Sequence, residues 1–329
     1  MKMKKFCLVS LILLTIGQVC SAEVLKYKGD DMTVERFIAI CQAGDLESVK
    51  AVIQAGVNIN AHTRGGNTLL MFMAQENLAS AVKTLISADA ELEARNDNGD
   101  TALMTAIRNN SVSAFEALVQ AGADIHTVNN NGWNTLMRAA QNGNVLIMRI
   151  LLTSGLDPDM RSNDKGTTPL MIASANDNID AVKLLIESGA KLELKDDEGV
   201  TALTAAIKEG ALSSVRTLIK SGADVNTSDN DGFTALMFAA AGKKARTIPE
   251  ITRTLIESGA DVNAKTINDG ATVLMLAALT APKPEIISEL LQAGADVSVQ
   301  DKKGRRAIDY LSSNKQLRDT EIAASLTLK

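Results

Sequence analysis

Six methionines stand at a nearly constant interval along this chain: Met71, Met104, Met137, Met171, Met237 and Met275. A row of thioethers is a soft ligand set, the kind that selects Cu(I) over harder ions. Other residues able to do chemistry are few. The histidines are His62 and His126; of the cysteines, Cys7 and Cys20 lie close to the N-terminus and Cys41 stands alone after them. Carboxylates are plentiful but gather in runs such as "KDDEG" at 195–199 and "SDNDG" at 228–232. These resemble calcium loops superficially and lack the remaining ligand pattern and its terminal Glu, so solvated turns are the simpler reading. No glycine-rich phosphate loop is present.

Whether the methionines can meet depends on the elements that carry them. Each belongs to a copy of one motif: "GNTLLM" at Gly66, "GDTALM" at Gly99, "GWNTLM" at Gly132, "GTTPLM" at Gly166, "GFTALM" at Gly232 and "GATVLM" at Gly270. The copy at Gly199, "GVTALT", puts Thr204 in the methionine slot, and a degenerate copy, "GRRAID", starts at Gly304. From Gly66 to Gly270 successive glycines are 33, 33, 34, 33, 33 and 38 residues apart. A second motif keeps step: "AGVNINA" at Ala55, "AGADIHT" at Ala121, "SGAKLEL" at Ser188, "SGADVNT" at Ser221, "SGADVNA" at Ser258 and "AGADVSV" at Ala293. Its glycine ends an apolar helix such as "AVKLLIES", where positive φ stops the helix. Asp89 holds that place in one copy and is expected to weaken its repeat by about 1 kcal/mol.

Helical pairs this thin bury their apolar faces only by stacking on one another. Stacked helices sit about 8–10 Å apart, so equivalent methionines cannot share one ion without distortion. With Thr204 interrupting the row, they read as adaptable packing residues. His62 and His126 are two units apart and cannot share a site. Both read as exposed turn residues, and Cys41, at core spacing in "FIAICQAGD", as an apolar filler.

The motif resembles the ankyrin repeat, a 33-residue β-turn and helix pair with a T-P-L-H-x-A signature. Thr168, Pro169 and Leu170 match its first three letters, while Thr101, Thr201 and Thr234 are followed by Ala and Leu. The resemblance spans roughly residues 30 to 313. It implies an all-α solenoid of stacked helix-turn-helix units joined by β-hairpin-like turns, with eight helical pairs beginning near Thr33. The expected division is a segment 1–22, a repeat domain 23–300 and a capping partial repeat 301–329. Methionine replaces the family's usual histidine, which removes a side-chain hydrogen bond supporting the turn. The longest interval contains "AGKKARTIPE", with basic Lys243, Lys244 and Arg246, and the next repeat has "TAPKPE"; both are expected to protrude opposite the hairpin tips.

"MKMKKFCLVSLILLTIGQVCSAE" sets Lys2, Lys4 and Lys5 before an apolar run from Phe6 to Ile16, with Cys20 and Ala22 at alternate positions. This reads as a secretory signal cut after Ala22, with lipid attachment at Cys20 as the alternative. No later stretch is long and apolar enough to span a membrane. Cleavage takes three lysines from a net charge of −5, giving −5 − 3 = −8. That disfavours nucleic acid and suits a partner with a basic segment. With Cys41 alone, no disulfide or cysteine metal site forms within one mature chain, which is expected to be monomeric.

In the family, partners meet the hairpin tips and the inner helix surface. Carried onto this sequence, the residue after each marker glycine includes Asp100, Trp133, Val200 and Phe233. The tips carry Asp197, Glu198 and Asp231, and the inner helix ends add Arg108, Gln141, Asn142, Lys208 and Glu209. The site expected from these is protein-binding, with no catalytic, cofactor or metal residues. The function expected is a non-catalytic scaffold outside the cytoplasm: an inhibitor, an immunity factor or a protective adaptor for an envelope protein. A secreted effector that binds a host protein is the alternative, and an enzyme with a site in the solenoid groove is the third reading.

Overall fold

The structure, a computed structural model, describes residues 24–25, 32–54, 56–242, 247–318 and 321–327. The expected signal with Cys7 and Cys20, and the loop residues Lys243, Lys244 and Arg246, lie outside them. Two short strands, β1 (Val24–Leu25) and β2 (Met32–Thr33), pair antiparallel with Val24 opposite Thr33. Helices then follow in pairs. The first is α1 (Val34–Gln42) with α2 (Leu46–Gln54), and the second α3 (Leu69–Gln75) with α4 (Ala79–Ile86). The next are α5 (Ala102–Arg108) with α6 (Val112–Gln120), and α7 (Thr135–Asn142) with α8 (Val145–Thr153). They continue as α9 (Pro169–Ala175) with α10 (Ile179–Glu187), and α11 (Ala202–Glu209) with α12 (Leu212–Lys220). The last pairs are α13 (Ala235–Ala240) with α14 (Ile248–Glu257), and α15 (Val273–Thr280) with α16 (Pro284–Gln292). Two short helices, α17 (Ala307–Leu311) and α18 (Ile322–Ser325), close the stack.

The repeated threonine, replaced by Asn134 at α7, caps the first helices from α3 to α15. Thr101 Oγ1 accepts the Met104 amide and Thr168 Oγ1 the Met171 amide at 3.3 Å, and Asn134 Oδ1 does the same for Met137 at 2.7 Å. Such caps satisfy amides that the helix itself leaves open. The second helices end on left-handed residues; Gly189 has φ +90°, and Asp89 adopts φ +63° at the equivalent place. First helices pack on first helices and second on second. The methionine row lies between them, fully buried with leucine and alanine neighbours.

Two of these methionines do more than fill space. Sδ of Met171 accepts the Thr168 amide at 3.4 Å, and Sδ of Met275 the Thr272 amide at the same distance. In the copy without methionine, Thr204 Oγ1 accepts the Thr201 amide at 2.7 Å. The turn support expected to vanish with the histidine is therefore partly restored. A side chain three residues before the marker glycine supplies more: Asn129 Oδ1 accepts the amides of Asn131 and Trp133, and Asp229 Oδ1 those of Asp231 and Phe233. These are Asx turns, which fix a hairpin locally.

Successive hairpins are also joined. The Asn130 amide donates to Asn98 O, Asp197 to Lys165 O, Asn230 to Glu198 O, Ile267 to Asp231 O and Lys302 to Asp269 O. This close stacking makes Gly132 indispensable: its φ is +71°, and a Cβ there would sit 2.4 Å from the Asn163 backbone nitrogen. The loop after α15 does not protrude as expected. Ala281 is fully buried and its carbonyl accepts Asn314 Nδ2 at 3.2 Å, so the closing segment covers it. Among the described residues, no helix is long and apolar enough to cross a membrane.

Candidate functional site

Packing dictates the methionine position, whereas the residue beside it changes type from unit to unit: Phe72, Arg138, Ala205, Phe238 and Leu276 are half-buried, and Thr105 and Ile172 are buried. Together with Trp133 and Phe233, the half-buried hairpin residues after two of the marker glycines, the accessible side chains among these make up one face of the first helices. Stacked repeats use such extended faces for binding.

At α5 and α7 the face is charged. Asp100 is only 1% exposed. Its Oδ1 accepts Asn129 Nδ2 at 3.0 Å and its Oδ2 accepts Arg108 Nη1 at 3.0 Å. Arg138 Nη2 stands 3.8 Å from Oδ1, outside hydrogen-bond range. Arg138 Nη1 instead donates to Gln141 Oε1 at 3.3 Å, and Arg138 Nε has no hydrogen-bond partner in the chain. Burial pulls the Arg138 guanidinium below its ordinary pKa; Asp100 raises it again and Arg108 lowers it further. The Arg138 guanidinium lies over the Trp133 ring, 5.0 Å from its centroid.

Next along the face is an open groove of about 190 Å³, lined by Trp133, Gln141, Thr167, Ile172, Val200 and Ala205 among others. Beyond it Phe233 packs on Phe238, ring centroids 5.6 Å apart, and Lys208 Nζ sits 4.6 Å from the Phe238 centroid.

The structure brings Arg108, Trp133, Gln141, Lys208 and Phe233 onto this face and corrects other expectations. Asp100 does not face outward: it is the buried counter-ion of Arg108. Val200 is 5% exposed and lies beneath the surface that the larger Trp133 and Phe233 define. Asn142 is exposed, but its amide donates to the carbonyls of Ile107 and Arg108 at 2.6 and 3.0 Å, tying α7 to α5. At the tips, Asp197 is paired with Arg161 at 3.0 Å and Asp231 accepts Asn268 Nδ2 at 2.9 Å, while Glu198 is exposed. The acidic rim is thus partly neutralised within the chain.

Sequence reasoning passed over Arg138, Ile172 and Phe238. The available signal was positional: each occupies an unrepeated slot directly after a methionine or its equivalent. His62 and His126 are exposed on separate turns, and Cys41 is buried, which pushes its thiol up to about 12. Among the described residues, no cluster of three or more His, Cys, Asp or Glu is placed to hold a metal ion.

Comparison with known proteins agrees with the fold. No curated protein sequence matches the chain. The ankyrin repeat domain of human ASB11 superposes with a TM-score of 0.61 at 22% identity, covering 70% of this chain and 99% of that one. The ankyrin repeat domain of Bcl-3, a unique member of the IkappaB protein family, superposes with a TM-score of 0.57 at 29% identity, covering 69% of this chain and all of that one. A family profile for ankyrin repeats (three copies) matches residues 37–129, 114–196, 188–266 and 229–301. With matches running from residue 37 to residue 301, the chain belongs to the ankyrin repeat family.

Proposed function

We propose that the protein holds one partner protein on the face of its first helices, from Arg108 to Phe238, and acts by occupying that partner without turnover. Ankyrin repeats are protein-binding scaffolds. The observation that carries the reading is the grouping of unrepeated side chains, three aromatics, two arginines and an open groove, on one face of an otherwise periodic stack. Aromatic and arginine residues are the usual anchors of protein interfaces. The tips add Asp197, Glu198 and Asp231, which suit a basic stretch of the partner at the edge of the same face.

The N-terminal segment suits export, and we assign the protein a role outside the cytoplasm as an inhibitor, immunity factor or protective adaptor of an envelope protein. Affinity capture from the native envelope, repeated with Trp133→Ala and Phe233→Ala, tests the face. Loss of the same partner from both variants is expected, and retention by both would remove the face from the proposal. Cell fractionation tests the location: protein recovered from the medium or from host cells, and not from the envelope, would favour an effector role instead.

A further inference from the structure

We propose that the partner's contact segment carries an acidic side chain, Asp or Glu, beside an aliphatic one, its carboxylate seated on Arg108 and Arg138 and its aliphatic group in the groove behind Trp133. This rests on the reading of the first-helix face as the binding face and names what that face selects.

The charges at α5 and α7 do not balance. One carboxylate, Asp100, serves two guanidiniums, and both of its oxygens are already engaged by Asn129 and Arg108 at 3.0 Å. Arg138 is left 3.8 Å away, with its side chain 16% exposed; its Nε is buried and without a partner, so the accessible part of the guanidinium is at its two Nη atoms. A guanidinium held in this way has lost much of its hydration without gaining a hydrogen-bonded counter-ion. A second carboxylate supplies one, and the planar fork of arginine matches it in a bidentate manner. Arg108, 36% exposed, is accessible to the same group. The lowered pKa of Arg138 points the same way.

The neighbouring groove fixes what stands beside the acid. Trp133 and Gln141, which both contact the Arg138 guanidinium, also line the groove, and Ile172, Val200 and Ala205 give it apolar walls. Asp196 borders it too, but its Oδ1 is taken by the amides of Glu198 and Val200. The groove is open, with Phe233 and Phe238 beyond it on the same side of the stack, which suits an internal segment that passes through over a chain end. A net charge of −5 over the whole chain disfavours a polyanion as the source of the acidic group.

The test selects random short peptides, displayed within a carrier so that both ends are blocked, on the full-length mature protein. A parallel library displays free C-termini. Enriched blocked sequences are expected to share Asp or Glu next to Leu, Ile, Val or Met. Changing that acid to its amide is expected to weaken binding on the order of tenfold. Arg138→Gln, or Arg108→Gln as the more exposed second variant, is expected to weaken binding by a similar factor. On either variant the acid-to-amide change then adds little, the mark of a direct pair. Arg138→Glu is expected to select Lys or Arg instead, and the thermal transition of each variant shows whether it folds. Sequences that need Trp133 but carry no acid, or carry Lys or Arg on the unmodified protein, overturn the proposal and leave the face intact. Sequences indifferent to Trp133→Ala and Phe233→Ala overturn the face itself. Enrichment confined to free C-termini, or in neither library, overturns the internal acidic segment.

Discussion

Two aspartate–arginine sites, one inside the stack and one at its end, answer the same physical problem differently. At the end, Asp301 receives the amides of Lys303 and Arg305 on Oδ1, and Arg305 Nε and the Tyr310 hydroxyl on Oδ2, all at 2.8 Å. One carboxylate faces one guanidinium and is saturated. Burial alone would raise the Asp301 carboxyl, but the Arg305 amide, the Tyr310 hydroxyl and the Arg305 side chain hold it well below the usual carboxylate range. Burial and the Asp301 hydrogen bond push the Tyr310 phenol up to about 12. Inside the stack, Asp100 faces two guanidiniums and satisfies one. The closed site belongs to folding; the open one has a charge left over for something outside the chain.

The largest expected effect lies at the closed site. Asp301→Asn should release the turn and α17 from the stack, read as fast hydrogen exchange at the Lys303 and Arg305 amides. Because the folded pKa is depressed, this site's contribution is complete above the unfolded carboxylate value of roughly 3.9 and fades as pH falls below it. Acid-induced loosening of residues 301–317 in the parent and not in the variant would confirm the link. An acid-insensitive parent would break the contrast.

Asp100→Asn should cost about 2 kcal/mol in a denaturant melt, because a buried charged acceptor is lost while Arg108 and Arg138 remain. Arg138→Gln should change stability by less than about 1 kcal/mol, since its nearest counter-ion lies beyond hydrogen-bond distance. A loss as large as that of Asp100→Asn would show that the two guanidiniums share Asp100 after all. The smallest effect serves as a control in a repeat that holds neither site. Asp89→Gly relieves a left-handed non-glycine residue and should raise the melting temperature by a few degrees.

Most of the fold was legible in the sequence because periodic positions are dictated by packing. The threonine that caps most first helices, the glycine that ends most second helices and the methionine between them recur because each meets the same surroundings in successive units. Even Asp89 was readable, since a helix end in that register requires positive φ whatever residue stands there. The binding face was read less well, for a reason visible at Asp100 and Val200. The residue after the marker glycine lies at a depth set by what surrounds it, not by its own type: Asn67 and Thr167 are half-buried, whereas the similarly sized Asp100 and Val200 are buried. Trp133 and Phe233 reach the surface, whereas Asp100 and Val200 do not. Arg138 escaped notice because its importance comes from Asp100, in the preceding hairpin, and from Trp133 beneath it. Spacing along one chain does not disclose a three-way balance of charge.

Between hairpin tips the backbone hydrogen bonds run in one direction: where a hairpin donates a backbone amide, as Asn130 does to Asn98 and Lys302 to Asp269, the acceptor is a carbonyl of the hairpin before it, while the side chains of Arg95 and Lys195 reach forward to the carbonyls of Val128 and Ser228. A chain made from its N-terminus therefore presents these amides to acceptors that have already taken shape. For the backbone bonds the order of synthesis and the order of assembly can coincide, while the forward side-chain bonds wait for the next unit.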